Sequence, residues 1–521
     1  MTIRDLPSAE RRWLAIAAAF CAALSLLLFG ADFTVDGLTY AVRVETGRHL
    51  YHANHMLPNY VWWVLQQGLD ALGWAPRAVI TMQAFNVIFG LAGCVVLYGV
   101  LRSFASVTNS SLLILLIFFS FGWWAFSHEP EVYVPALALI CFQLPWLLDS
   151  QKPGRWQLVA LVALCAATIG FHQQHVLWYF VALALLWRQA GSIRDKGLWT
   201  FALAVPALVL ALYVVIGLQH GAFESTHSIA EWFLGLAYSE DGGVSTHRAT
   251  AAPLHRLALA LAAAGNLLVP WTLVAQPIWV IGLAALALFA LFGVLLWAAW
   301  SRREKWAELR WIAGLALAWL LVYFFFALVW EARNVEFMLP LLLPAAVLAA
   351  IVLGNHRSRL LVAAVAVLVA LNLALSHVPD SQVPLRYSLA LAVDDQYDLT
   401  LGDALITEEK NTVLYLNYMR GKPVKFIAGA VSHAMHLNVA TERFERQFRG
   451  QIRRSDRVFT LEQATRGRLY WMAKRLPWVS ENSMRDVDTL EERLYDRLIM
   501  SEVPGLENVW QVSLPHARPA R

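Results

Sequence analysis

The sequence predicts a polytopic α-helical membrane protein of about eleven transmembrane helices, followed by a C-terminal extracytoplasmic α/β domain. Three observations carry this reading. Of 521 residues, 59% are apolar or aromatic and only 15% charged, with 23 Trp and a mean hydropathy of +0.52. An ordinary soluble domain is about one quarter charged, so a water-soluble globule of this length is excluded. Apolar runs of roughly 17–25 residues recur from Trp13 to Leu375, long enough to cross about 30 Å of hydrocarbon at about 1.5 Å per helical residue. From His377 onward charged residues become frequent and the apolar runs shorten to strand length. Residues 1–376 therefore read as the transmembrane domain and 377–521 as the extracytoplasmic one.

In chain order the expected spans are 13–30, 78–101, 111–126, 132–148, 156–170, 174–187, 198–218, 276–300, 310–330, 338–354 and 358–376. The first follows Arg4, Arg11 and Arg12, as a signal peptide would. It is longer than a usual signal core and runs into Gly30-Ala31-Asp32 with no small-x-small cleavage site, so a retained helix is expected. Two further apolar stretches break the alternation of sides. Residues 57–72, interrupted by Asn59, Gln66, Gln67 and Asp70, read as an interfacial or re-entrant helix, and 257–271, broken by Asn266 and Pro270, as another candidate. In the polar region the pattern gives strands at Ala404–Thr407, 424–427, 457–461 and 468–472 and a helix at 412–420, which suggests a small α/β domain.

The net charge of +4 says little, because 41 basic and 37 acidic residues nearly cancel. Their placement says more. With the N-terminus inside, the cytoplasmic segments carry 15 basic and 6 acidic residues, and the opposite segments up to residue 376 carry 6 basic and 12 acidic. This is the asymmetry of the positive-inside rule. A cytoplasmic N-terminus and an extracytoplasmic C-terminal domain follow, and the absence of an organelle signal suits a bacterial inner membrane. All four cysteines (Cys21, Cys94, Cys141, Cys165) fall within apolar runs and read as small buried residues, not a disulfide set. There is no Walker A loop, no Gly-x-Ser-x-Gly elbow, no His-Glu-x-x-His and no zinc-spaced Cys pair. Membrane lipids are expected partners and nucleic acid is not.

In this topology the unusual polar clusters share the extracytoplasmic side. They are Asp32 and Asp36 with Glu45, the segment Ser127-His128-Glu129-Pro130-Glu131, the turn His172-Gln173-Gln174-His175, the loop 219–256, and Glu331-Ala332-Arg333-Asn334-Val335-Glu336. Charges near a bilayer are costly unless solvated or paired, so their convergence implies a wet cavity; the bland alternative is solvated loops. Asp32 and Asp36 share a face if the first helix continues. Either can take a proton from a hydroxyl or bind a divalent cation, and Asp32 can instead cap a helix. Glu129 and Glu131 sit on a very short loop. With His128, His172 and His175 they read as metal ligands, or else the histidines hydrogen-bond a phosphate or sugar; the His-x-x-His spacing is not diagnostic. Arg333 offers a planar fork suited to phosphate, with Glu336 to orient it, or forms a structural Arg–Glu pair. His52 and His55 flank the interfacial helix. Trp62, Trp63, Trp123 and Trp124 suit the interface belt.

The stretch Asp36-Gly37-Leu38-Thr39-Tyr40 through Thr46-Gly47 to His52 and His55, and Trp330-Glu331-Ala332-Arg333-Asn334-Val335-Glu336-Phe337 before a late span, resemble segments of poorly characterised bacterial members of the membrane-embedded C-type (GT-C) glycosyltransferases. The acid-bearing first loop, the acids of the second, the number of spans and the outer domain fit the same family. The resemblance implies an enzyme that moves a sugar from a polyprenyl-phosphate donor to a hydroxyl of a glycan, lipid or protein acceptor on the extracytoplasmic side, with inversion. It implies Asp36 as first choice for the catalytic carboxylate and Asp32 as second. Members often carry adjacent acids here, whereas four positions separate these two, which leaves the choice of base open. Donor phosphate would fall to Arg333, Glu336, His172, His175 and His55. A divalent cation, Mg²⁺ or Mn²⁺, would fall to Glu129 and Glu131, since the family includes metal-using and metal-free enzymes. The alternatives are a lipid-linked glycan polymerase or ligase, and a lipid or polysaccharide transporter without covalent chemistry. A transporter needs polar residues through the middle of several spans, yet 112–120 and 278–297 are almost uniformly apolar.

Overall fold

In a computed structural model the chain is described at residues 5–219, 253–407, 410–421, 423–428, 441–461, 498–507 and 509–513, together with Phe223 and Trp232. It divides into two compact units. The first comprises Met1–Phe29, Arg43–Trp271 and Ile278–Pro379; the second gathers Gly30–Val42, Thr272–Pro277 and Asp380–Arg521. The second unit thus takes in two short stretches that the sequence placed with the membrane half.

Every expected apolar run in the first unit contains a helix. In order these are α1 (Ser8–Leu27), α4 (Ala78–Leu101), α5 (Val107–Phe118) with α6 (Phe121–His128), α7 (Tyr133–Leu147), α8 (Arg155–Phe171) and α9 (Val176–Ala190). Then come α10 (Lys196–Gln219), α12 (Ile278–Ser301), α13 (Arg303–Glu331), α14 (Val335–Leu353) and α15 (Arg359–Asn372). The helix α2 (Val35–Thr46) follows the first span, α3 (Pro58–Ala71) occupies the first interrupted stretch, and α11 (Pro253–Asn266) the second. Among the described residues six helices are long and apolar enough to cross a membrane by themselves. The run expected at 111–126 is broken. The Ser106 hydroxyl caps α5 by accepting from the Asn109 amide, the Ser120 hydroxyl caps α6 by accepting from the Trp123 amide, and the two helices meet at a bend of 55°. A second cap inside an apolar run ends one helix and starts another.

Small residues decide the tightest packing. A side chain at Gly93 would bring its Cβ to 3.0 Å from the Ala138 backbone, and one at Gly90 to 3.0 Å from Val134, so these two glycines let α4 and α7 close on each other. Between membrane helices, close backbone approach replaces the hydrophobic effect as the source of association. Of the polar residues that interrupt α3, Gln66 is buried and tied down. Gln66 donates to Asp70 at 3.1 Å and to the Pro76 carbonyl at 2.8 Å, and accepts from Thr81 at 2.7 Å. That network anchors α3 to the start of α4.

The second unit contains a five-stranded sheet of order β2-β1-β3-β5-β4: β1 (Ala404–Thr407), β2 (Lys425–Ala428), β3 (Val458–Thr460), β4 (Ile499–Glu502) and β5 (Trp510–Ser513). The first three are parallel, with Ala404 opposite both Lys425 and Val458; β5 runs antiparallel to β3 and β4 to β5. Parallel neighbours need crossovers, supplied by α17 (Lys410–Arg420) and α18 (Thr441–Arg453). A further helix, α16 (Leu385–Tyr397), precedes β1. Leu405, Val413, Leu416, Phe459 and Val393 belong to the core, and the interior strand β1 is buried along its whole length. The strands expected at 404–407, 424–427 and 457–461 and the helix expected at 412–420 each have a counterpart whose ends differ by at most two residues. The strand expected at 468–472 lies outside the described residues. The antiparallel pair β4 and β5 was not expected; β4 is exposed and carries no apolar alternation to read.

Candidate functional site

The two candidate acids have different fates. The first helix does not continue through them: it ends at Leu27, and residues 28–34 are non-helical. Asp32 and Asp36 therefore do not share a helical face. Neither is the cap, because the Thr34 hydroxyl accepts from the Gly37 amide at 2.9 Å and starts α2. Asp32 accepts from Arg386 at 2.5 Å and from the Tyr387 hydroxyl at 3.3 Å. The Arg386 and Asp32 side chains are only 9% and 16% exposed, and Arg386 also lies over the Tyr387 ring. Tyr387 stacks on Tyr415 at 4.2 Å, and Asn411 donates to the Phe33 carbonyl at 2.8 Å. Asp32 is thus part of the scaffold of the second unit. Asp36 is exposed in the first turn of α2 and, among the described residues, makes no hydrogen bond or ion pair. Of the two, it is the carboxylate left available for chemistry.

In the first unit a group of histidines draws four distant segments together. His52 and His55 pair as an isolated antiparallel bridge and stack at 5.7 Å. The His55 ring lies 4.5 Å from His172, and His172 lies 5.0 Å from Tyr133, 5.9 Å from His175 and 6.1 Å from Phe337. Backbone bonds lock the loop in place, from the Gln173 amide to the Asn54 carbonyl and from the Leu57 amide to the Gly170 carbonyl, both 3.0 Å. The Tyr213 hydroxyl of α10 donates to the Ala53 carbonyl at 2.8 Å. His172 accepts from the Gln174 amide, and His175 Nδ1 lies 2.8 Å from the Tyr323 hydroxyl. His55, His172 and His175 are all buried. Their rings are engaged in packing, a placement the expectation of a wet, phosphate-facing cluster did not include; His52 is half-buried. The loop 219–256 that was to complete the cluster lies largely outside the described residues.

Tyr133 extends the group toward the last candidate segment. Its hydroxyl donates to Glu336 at 2.8 Å, and Asn334 donates to the same carboxylate oxygen at 3.1 Å while its carbonyl accepts from the Glu336 amide. Glu336 is thus held by a tyrosine and an asparagine. Arg333 reaches Glu331 at 3.7 Å, and both side chains are about one third exposed. The expected Arg333–Glu336 pairing is replaced by Arg333–Glu331, because Asn334 turns the chain and directs Glu336 toward Tyr133. Arg333 stays partly exposed.

Glu129 and Glu131 are positioned through their backbone. The Asn86 side chain, inside α4, donates to the carbonyls of Glu129 at 2.8 Å and Glu131 at 2.7 Å, and Gln83 donates to the His128 carbonyl at 2.5 Å. Pro130 cannot donate, and α4 satisfies the turn around it. His128 Nδ1 lies 2.8 Å from the Trp124 carbonyl, its ring stacks on Trp124 at 4.1 Å, and Trp124 stacks on His377 at 4.3 Å. These tryptophans are buried, so Trp62, Trp123 and Trp124 belong to the packed interior rather than to an interface belt; Trp63 is half-buried. Among the described residues no three His, Cys, Asp or Glu side chains gather closely enough to hold a metal ion.

Arg386, Tyr133, Tyr323, Gln83 and Asn86 were not singled out from the sequence. The two amides had a readable signal, since polar side chains inside a span are expensive and usually engaged. Arg386 had none: 354 residues separate it from Asp32.

No protein-family model matches the chain, and no curated protein matches it in sequence. The fold has counterparts among solved structures. The crystal structure of ArnT from Cupriavidus metallidurans bound to undecaprenyl phosphate superposes with a TM-score of 0.56 at 13% identity, covering 97% of this chain and 98% of that one. The apo state of the same protein gives 0.55 over the same shares. At this identity the likeness is one of fold. The chain shares that fold, and its polytopic helical unit and small C-terminal sheet are those the sequence predicted.

Proposed function

We propose that the chain is a membrane glycosyltransferase that moves a sugar from a polyprenyl-phosphate donor to an acceptor hydroxyl on the extracytoplasmic side. The observation that carries this reading is likeness along nearly the whole chain to a protein whose structure holds undecaprenyl phosphate. The available carboxylate of Asp36 supports it, because the reaction needs a base.

In the proposed step the acceptor hydroxyl attacks the anomeric carbon, its proton passes to Asp36, and the bond from that carbon to the donor phosphate oxygen breaks, with inversion and release of polyprenyl phosphate. Negative charge grows on the leaving phosphate. A partly exposed guanidinium such as Arg333 suits it, since its fork can meet two phosphate oxygens. The experiment is to supply a panel of polyprenyl-phosphate monosaccharides to native membranes with and without the protein, and to follow donor and released polyprenyl phosphate by mass spectrometry. Consumption of one donor only where the protein is present supports the reading and identifies the sugar. No consumption across the panel contradicts it.

A further inference from the structure

The first unit contains a second feature that takes no part in the chemistry above. A groove of 490 Å³ runs between α1, α4 and α5. Ala17, Ala18 and Cys21 of α1 and Cys94 of α4 leave the space, and Ile114 and Phe118 of α5 close it. From Glu10 to Cys21 it follows α1 for about 16 Å at roughly 1.5 Å per residue, the scale of a hydrocarbon chain. Helix α1 buries only Cys21 and Ser25 and leaves Trp13, Ile16 and Phe20 exposed, so the protein itself does little to cover it. Around membrane helices the material that fills such a groove is lipid.

One end of the groove is polar, and its chemistry narrows the choice of lipid. The Tyr98 hydroxyl and Arg102 Nε both donate to the same oxygen of Glu10 at 2.7 Å, and Ser111 lines the groove beside them. Arg102 Nη1 donates to the Ala105 carbonyl, while Nη2 has no acceptor among the described residues. The Glu10 and Arg102 side chains keep 10% and 17% of their surface exposed. The Glu10 carboxylate lines the mouth of the apolar slot and the Arg102 guanidinium is bonded to it just beyond the lining, a pair that complements a zwitterion carried on a hydrocarbon tail. A purely anionic headgroup would meet the Glu10 carboxylate.

We propose that this groove binds an aminophospholipid, with one acyl chain in the slot, the ammonium group at Glu10 and the phosphate at Arg102 Nη2. The test uses the full chain in bilayers containing phosphatidylethanolamine with a diazirine in its acyl chain or, separately, the matching phosphatidylglycerol, followed by irradiation and peptide mass spectrometry. With the ethanolamine probe, labelling of the groove faces of α1 and α4 should exceed that of lipid-facing α12 by about tenfold, equivalent to roughly 1.4 kcal/mol. Ala18→Phe, which fills the slot, should remove the excess and leave α12 labelling unchanged. Equal labelling of groove and α12, or an excess that survives Ala18→Phe, overturns the site. Equal preference for the glycerol probe overturns the assignment of the headgroup.

Discussion

Helices α4 and α12 are both 24 residues long and both apolar enough to span a membrane, yet 56% of the central window of α4 is buried within the protein and only 28% of that of α12. The difference lies in what each carries. α12 is a run of Leu, Ala, Phe and Trp with its large side chains turned outward: Trp279, Leu286, Phe289 and Trp297 are all exposed. α4 carries Thr81, Gln83 and Asn86 near one end and Gly90 and Gly93 in the middle. Its amides hold the turn at residues 128–131, and its glycines seat α7. Length and hydropathy identify a span, whereas amides and glycines within it identify a span that frames a site.

The same contrast separates Asp36 from Asp32, and breaking it yields the largest expected effect. Asp36→Asn should lower transfer by about 10²–10⁴-fold, the usual worth of a positioned general base, without moving the thermal transition. Asp32→Asn should act on stability instead. It leaves the buried Arg386 charge without its carboxylate, which costs about 3–5 kcal/mol and should show as a lower melting temperature. Asn86→Leu should destabilise by about 1–3 kcal/mol, because the Glu129 and Glu131 carbonyls both lose the Asn86 amide as a donor, Glu129 keeping the Glu131 amide; thermal unfolding in detergent reads it. Leu286→Ala in α12 should stay within about 0.5 kcal/mol, since that side chain is 66% exposed.

In the second unit the buried Asp403 carboxyl supplies a pH prediction. Burial alone would raise its pKa, but hydrogen bonds from Arg457 and from Thr400 outweigh burial and hold it below its ordinary value of 3.8. A carboxyl with a depressed folded pKa contributes stability that is present above its unfolded value and is lost as the pH falls through the folded one. The second unit should therefore loosen below about pH 4. Arg457→Gln should shift that loss to higher pH, as followed by hydrogen exchange at β1.

The fold was legible because span length is a local property of the sequence, and β1 with α17 could be placed by a buried strand followed by an amphipathic helix. The break between α5 and α6 is a serine cap, Ser120, inside an apolar stretch, and hydropathy alone passes over it. The candidate site was legible as residue types and not as roles. His55, His172 and His175 do come together, but against Tyr133 and Tyr323, which sit in apolar runs and carried no signal. Asp32 and Asp36 look alike four positions apart until Thr34 starts a helix between them and Arg386, 354 residues from Asp32, takes one of them.

The proposed division of roles is that Asp36 performs the chemistry of a sugar transfer while Asp32 holds the structure. It is tested most directly by measuring, in the same bilayer preparation, release of polyprenyl phosphate from the donor that the wild type consumes and the melting temperature, for Asp36→Asn and for Asp32→Asn. The expected result is a folded, inactive Asp36→Asn protein beside a destabilised Asp32→Asn protein that still turns over below its lowered melting temperature. Wild-type turnover in a folded Asp36→Asn protein would contradict the account.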